Sequence, residues 1–192
     1  MDNDVSAGST TSTSVLGHLA LGLTLLAFGI GNTAVIDGAT AADAVPLALY
    51  VGGVALFVAG LLGFRSGDSF TGTAFAGLGA FWFTWGTGVG DQISADAAGL
   101  FLLLWALLAL SLTLGAAGAG PLFQGAYGLL TVALLLLAVG QFADSTGLAR
   151  TGGWIAAVAG LAAWYGATAA LAKWPTALPR RRAAGRGVTA TG

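Results

Sequence analysis

Residues 70–89 read FTGTAFAGLGAFWFTWGTGV. The stretch carries no charge and is about as long as a helix must be to cross the hydrocarbon layer of a bilayer. It is not a generic aliphatic anchor. Gly72, Ala74, Ala76, Gly77, Gly79 and Ala80 leave much of a helix surface bare, while Phe75, Phe81, Trp82, Phe83 and Trp85 add bulk. A helix that is small on one side and aromatic on another packs closely on its neighbours and walls something off. The short polar segment Arg65-Ser-Gly-Asp-Ser69 precedes it, and five further helices are predicted around it.

The chain as a whole forces the same class. Of its 192 residues 56% are hydrophobic and 8% charged, against about a quarter charged in a soluble domain. Such a chain cannot cover a water-facing surface, so an integral membrane protein is predicted. With no cysteine, disulfides and thiolate metal sites are excluded. With no Glu and one His, there is little material for acid–base chemistry, a triad or a metal centre, and no cofactor or enzymatic activity is expected. The net charge of −1 points to no nucleic-acid partner. The 32 glycines, set in apolar segments, favour tight helix contacts.

Six spans are expected, at about 16–36, 45–64, 70–89, 97–116, 122–142 and 152–172. Together they make an all-α polytopic bundle (16–172) around a central pathway. A polar tail (1–15) without the basic start of a signal peptide precedes it, and a basic tail (173–192) follows. The connections are short, so function must reside in the bundle. Six spans put both ends on one side. Lys173, Arg180, Arg181, Arg182, Arg186 and Arg65 fall there, and only Arg150 falls opposite. The excess of basic residues predicts cytoplasmic termini in the cell membrane, with the arginine cluster either solvated or held at anionic lipid. The continuous run LFLLLWALLALSLTLGAA (100–117) lacks the alternation of a membrane β-strand. Spans one, three and five each hold a small residue followed one turn later by Leu: Gly17 and Leu21, Ala74 and Leu78, Ala126 and Leu130. Each pair lies on one helix face.

The segment from Tyr50 to Phe83, YVGGVALFVAGLLGFRSGDSFTGTAFAGLGAFWF, resembles the succinate–acetate permease family (SatP/YaaH type). Gly52, Gly53, Ala59, Gly60, Gly67, Phe70, Thr73, Ala74, Phe75, Gly79, Phe81 and Trp82 match its ordered run across helices two and three. Leu130-Thr131-Val132 with Ala138-Val139-Gly140 resembles its fifth helix. Gly153-Trp154-Ile155 with Gly160 and Tyr165 resembles its sixth. The resemblance implies a six-helix permease for acetate and related short carboxylates, with protons as a second partner and a homohexamer in which each subunit has its own pathway. It implies a constriction at Leu21, Leu78 and Leu130, and a tie between Ala163 and substrate choice. Two constriction positions hold Leu where the family has an aromatic residue, and only Leu16 and Gly17 remain of the NPAPLGL segment before helix one.

Three leucines meeting on an axis would form a narrow dry ring. A carboxylate crossing it would lose hydration at a cost of several kcal/mol or more, whereas a protonated acid or a neutral solute would lose far less. Passage of the protonated acid, or of a less polar solute, is therefore expected. Further candidates to line the pathway are Thr73, Phe81, Thr131, Asn32 and Gln141. Thr73 and Thr131 either meet solute or bond back to their own helices. Asn32 and Gln141 either line an entrance or reach the headgroups. His18 is either a proton-sensing group or an interfacial histidine. A non-transporting membrane sensor and a neutral-solute channel of the same fold remain open beside the permease reading.

Overall fold

The structure, a computed structural model, describes residues 12–88 and 93–174. The expected basic cluster 180–182, Gly90, and nearly all of both predicted tails lie outside the described residues. Among the described residues six long helices form one bundle: α1 (Ser12–Thr33), α2 (Ala41–Arg65), α3 (Ser69–Gly88), α4 (Ala95–Gly115), α5 (Pro121–Phe142) and α6 (Thr146–Ala172). All except α3 are long and apolar enough to cross a membrane by length and composition alone. In α3, glycine and threonine dilute the apolar content, and Phe75, Phe81 and Trp82 are buried while Phe83 is exposed.

The short loops make consecutive helices antiparallel, so α1, α3 and α5 share one direction. The helices also begin earlier than the sequence predicts. Most notably α6 starts at Thr146, where Ser145 Oγ accepts a hydrogen bond from Leu148 N as an N-cap. Arg150, expected in a loop, is therefore an exposed residue of the first turns of α6. The α2–α3 turn is built by two adjacent residues. Gly67 takes a positive φ of 80°, and the amides of Gly67 and Asp68 bond the carbonyls of Phe64 and Gly63, closing α2. Asp68 then starts α3 by accepting from Thr71 N (2.9 Å) and Thr71 Oγ1 (2.6 Å).

The centre of the bundle is shared between α3, where the sequence placed it, and α1, which contacts α2, α3 and α6. Glycines make this possible. A Cβ at Gly22 would lie 2.9 Å from the Gly160 carbonyl oxygen and 2.7 Å from the Trp164 amide, and one at Gly153 would lie 2.9 Å from the Gly29 carbonyl oxygen. Two glycines on each helix thus let α1 and α6 touch backbone to backbone. Between α2 and α3 the contact is equally close: a Cβ at Gly79 would lie 2.6 Å from the Phe57 amide. Over Ala48–Ala55 helix α2 winds as a π-helix, a local widening that often accompanies functional sites. Large apolar residues without inward contacts, such as Leu104, Leu107, Leu114, Val158 and Leu161, are exposed on the outside of the bundle, as lipid-facing residues are.

Candidate transport pathway

Helices α1, α3 and α5 run parallel, so residues one turn apart on each define successive levels about 5.4 Å apart. Leu21, Leu78 and Leu130 are each 1% exposed and belong to one buried cluster. The small residues that precede them, Gly17, Ala74 and Ala126, are buried as well. A Cβ on Gly17 would strike the ring of Phe75, so the bare surface of α1 admits an aromatic side chain of α3.

One turn toward the termini the level is polar at its centre. His18 is 4% exposed. Its Nδ1 lies 2.8 Å from the Ser14 carbonyl oxygen, and its Nε2 lies 3.2 Å from the Tyr127 hydroxyl. A carbonyl can only accept, so Nδ1 carries the proton. In the neutral ring Nε2 then accepts from Tyr127 O–H. The imidazole is held between the Phe123 ring (centroids 3.9 Å) and the edge-on Phe75 ring (4.9 Å). Phe123 also forms a wall of a cleft of about 340 Å³ at this end of the bundle, bordered by Gly120, Pro121, Gly166, Lys173 and Trp174. The His18–Tyr127 pair joins residues 109 apart in the chain. The lone histidine in an apolar segment was its only trace in the sequence.

One to two turns on the other side of the leucines the bundle is aromatic. Phe28 packs edge-on against both Trp82 and Trp85, with centroids at 5.3 and 5.1 Å. Phe81 is buried but turned toward α4, where it meets Phe101 (5.8 Å) and Trp105 (5.4 Å).

The remaining residues singled out in the sequence are scattered. Thr131 is buried. Its Oγ1 bonds back to the Tyr127 carbonyl (3.0 Å) and meets the Thr113 hydroxyl of α4 at 3.2 Å. Asn32 Nδ2 donates to the Phe28 carbonyl (2.8 Å), and its Cβ lies 2.8 Å from where a Cβ of Gly153 would sit, so it belongs to the α1–α6 crossing. Gln141 is half-buried near the end of α5. Ala163 is 1% exposed on α6. Thr73 is exposed on the outer face of α3, away from the buried levels. Its side chain faces outward because Gly72 and Ala74 beside it carry the inward contacts.

Residues 4–178 match the model of the GPR1/FUN34/yaaH family. The Succinate-acetate/proton symporter SatP of Escherichia coli K12 is 31% identical over 157 residues, covering 77% of this chain and 81% of that protein. The Glyoxylate pathway regulator of Yarrowia lipolytica is 30% identical over 151 residues, 73% of this chain and 56% of that protein. The Ammonia transport outward protein 2 of Saccharomyces cerevisiae is 29% identical over 137 residues, 60% of this chain and 49% of that protein. The solved structure of the bacterial acetate channel SatP superposes with a TM-score of 0.78 at 27% identity, covering 85% of this chain and 93% of that one. Matched along nearly its whole length and sharing the six-helix fold, the chain belongs to the GPR1/FUN34/yaaH family.

Proposed function

We propose that this chain is a membrane permease or channel for acetate and related short monocarboxylates. The observation that carries the reading is the burial of the three leucines. Leu21, Leu78 and Leu130, on three parallel helices, are each buried to 1% exposure in one cluster. The names of its relatives, a succinate-acetate/proton symporter and an acetate channel, support the solute class. In this reading the solute crosses the leucine ring as the neutral acid. The proton travels with the carboxyl group, or is taken up on one side and released on the other. A dry ring of branched side chains favours that form, because a bare carboxylate would lose its hydration there with no charged partner. Ala163 tunes which solutes pass, and Phe81 and Thr131 support the pathway wall from the α4 side. Six copies form the assembly, each with its own pathway, and both termini face the cytoplasm. No catalytic step is assigned to the chain.

A neutral-solute channel is the second reading. It is favoured by the wholly apolar ring and by a relative named for ammonia transport. Uptake of labelled acetate into liposomes holding the purified protein, with and without an inward proton gradient, separates the two. Flux well above empty liposomes, rising with the gradient, is expected. Folded protein that passes methylammonium but no acetate under either condition would overturn the carboxylate reading in favour of the neutral solute.

A further inference from the structure

Five polar side chains are buried inside the described helices and their caps: His18, Thr24, Thr33, Thr71 and Thr131. Four have partners. His18 bonds Ser14 and Tyr127, Thr33 bonds the Ile30 carbonyl, Thr71 bonds Asp68, and Thr131 bonds the Tyr127 carbonyl. Even exposed threonines, Thr84, Thr87 and Thr151, bond back to their own helices, as threonines in apolar helices commonly do. Thr24 does not. It is 0% exposed and its Oγ1 has no hydrogen-bond partner. The other buried side-chain polar atom without a partner among the described residues is Trp82 Nε1, also on a residue of 0% exposure.

The two side chains that carry them are neighbours. A Cβ built on Gly52 would lie 3.0 Å from Thr24 Oγ1 and 2.8 Å from Trp82 Cγ. Thr24 on α1, Trp82 on α3 and the π-helical turn of α2 therefore converge on one point. That point stands one helical turn beyond Leu21 and Leu78, on the side away from the termini. A buried hydroxyl and a buried indole N–H left unbonded each carry a desolvation penalty. Two such groups, on neighbouring side chains beside a glycine in a widened helix, carry a desolvation cost that apolar side chains at the same positions would not.

We infer that Thr24 Oγ1 and Trp82 Nε1 form a docking station for the carboxyl group of the transported acid, at the exit of the leucine ring. The inference rests on the proposed carboxylate reading. Trp82 Nε1–H donates to the carbonyl oxygen of the acid. Thr24 Oγ1 accepts from its O–H or donates to its other oxygen, so the station serves both the protonated and the ionised form. Both side chains close on the α2 backbone at Gly52, where even a Cβ would lie 2.6 Å from Thr24 Cγ2, so the headgroup enters as the two side chains part, and Phe28 with the Trp82 ring walls the methyl end. A solute leaving the dry ring thus regains hydrogen bonds before it reaches water, and the station lowers the barrier on that side.

The test compares wild type, Thr24→Val, Thr24→Ser and Trp82→Phe in liposomes, with acetate flux and thermal stability measured on the same preparations. Thr24→Val keeps the shape and removes the hydroxyl. It is expected to lower acetate flux about tenfold while leaving the melting temperature unchanged or higher, because a buried orphan has been removed. Thr24→Ser is expected to restore most of the flux. Acetate, against chloride at equal ionic strength, is expected to raise the melting temperature of wild type and of Thr24→Ser but not of the other two variants. Thr24→Val that carries acetate as wild type does would overturn the inference. If wild type carries no acetate at all, the transport reading falls and the station is judged by the acetate-dependent stabilisation alone. Its absence in wild type, or its persistence in Thr24→Val, refutes the station.

Discussion

Replacing His18 and Tyr127 singly and together gives the sharpest test of the polar level beneath the leucines. The two side chains meet at 3.2 Å in a site from which water is excluded. Tyr127→Phe removes the donor and leaves the His18 Nε2 lone pair buried without a donor. His18→Leu removes the acceptor and leaves the Tyr127 hydroxyl buried without a partner. Each single change strands one polar group, at a cost of about 1–3 kcal/mol. The double variant strands neither, because Nε2 and the hydroxyl leave together. The ring contacts of His18 with Phe75 and Phe123 are lost equally in His18→Leu and in the double variant. They therefore cancel in the cycle. The expected coupling is about 1–2 kcal/mol, with the double variant more stable than the sum of the singles predicts. Equilibrium unfolding in mixed micelles, followed by helical circular dichroism, measures it. A coupling under about 0.5 kcal/mol, or one of opposite sign, would mean that the pair is not bonded and that the assigned tautomer is wrong.

Leu78→Tyr returns an aromatic, hydroxyl-bearing side chain to the ring and is expected to raise acetate flux in the liposome assay; a variant that moves no more acetate than wild type removes the argument from ring polarity. Gly160→Val places a Cβ 2.6 Å from the Leu26 amide and 2.8 Å from the Gly22 carbonyl oxygen. These are backbone atoms that cannot turn aside, so α1 and α6 must part, at the upper end of the roughly 1–3 kcal/mol typical of overpacking. The melting temperature in detergent should fall clearly, and an unchanged value would show that the crossing is looser than described. Asp68→Ala deletes both cap bonds at the start of α3 and should cost about 1 kcal/mol, whereas Asp68→Asn, which can still accept one, should cost less in the same melt.

Much of the architecture was legible along the chain because the relevant signals are local. The continuous apolar runs and the scarcity of charge dictate membrane-spanning helices, since a polar backbone in hydrocarbon must satisfy itself within each segment. The alternation of short loops sets the helix directions. The pairs Gly17 and Leu21, Ala74 and Leu78, and Ala126 and Leu130 each mark one face of α1, α3 and α5, and those faces are buried.

What each polar side chain does was decided only by the tertiary structure. Along the sequence Thr24, Thr73 and Thr131 are three intramembrane threonines with nothing local to tell them apart. One is orphaned beside Trp82, one faces outward, and one bonds its own helix. Asn32, expected either to line an entrance or to reach the headgroups, is held at the α1–α6 crossing because the backbones of Gly29 and Gly153 come within contact there. His18 found Tyr127 across 109 residues of chain. Apolar burial needs only the right face, which periodicity along one helix reveals. A hydrogen bond needs a particular atom of another helix within about 3 Å, and that depends on how two helices cross and rotate, which neither sequence encodes alone.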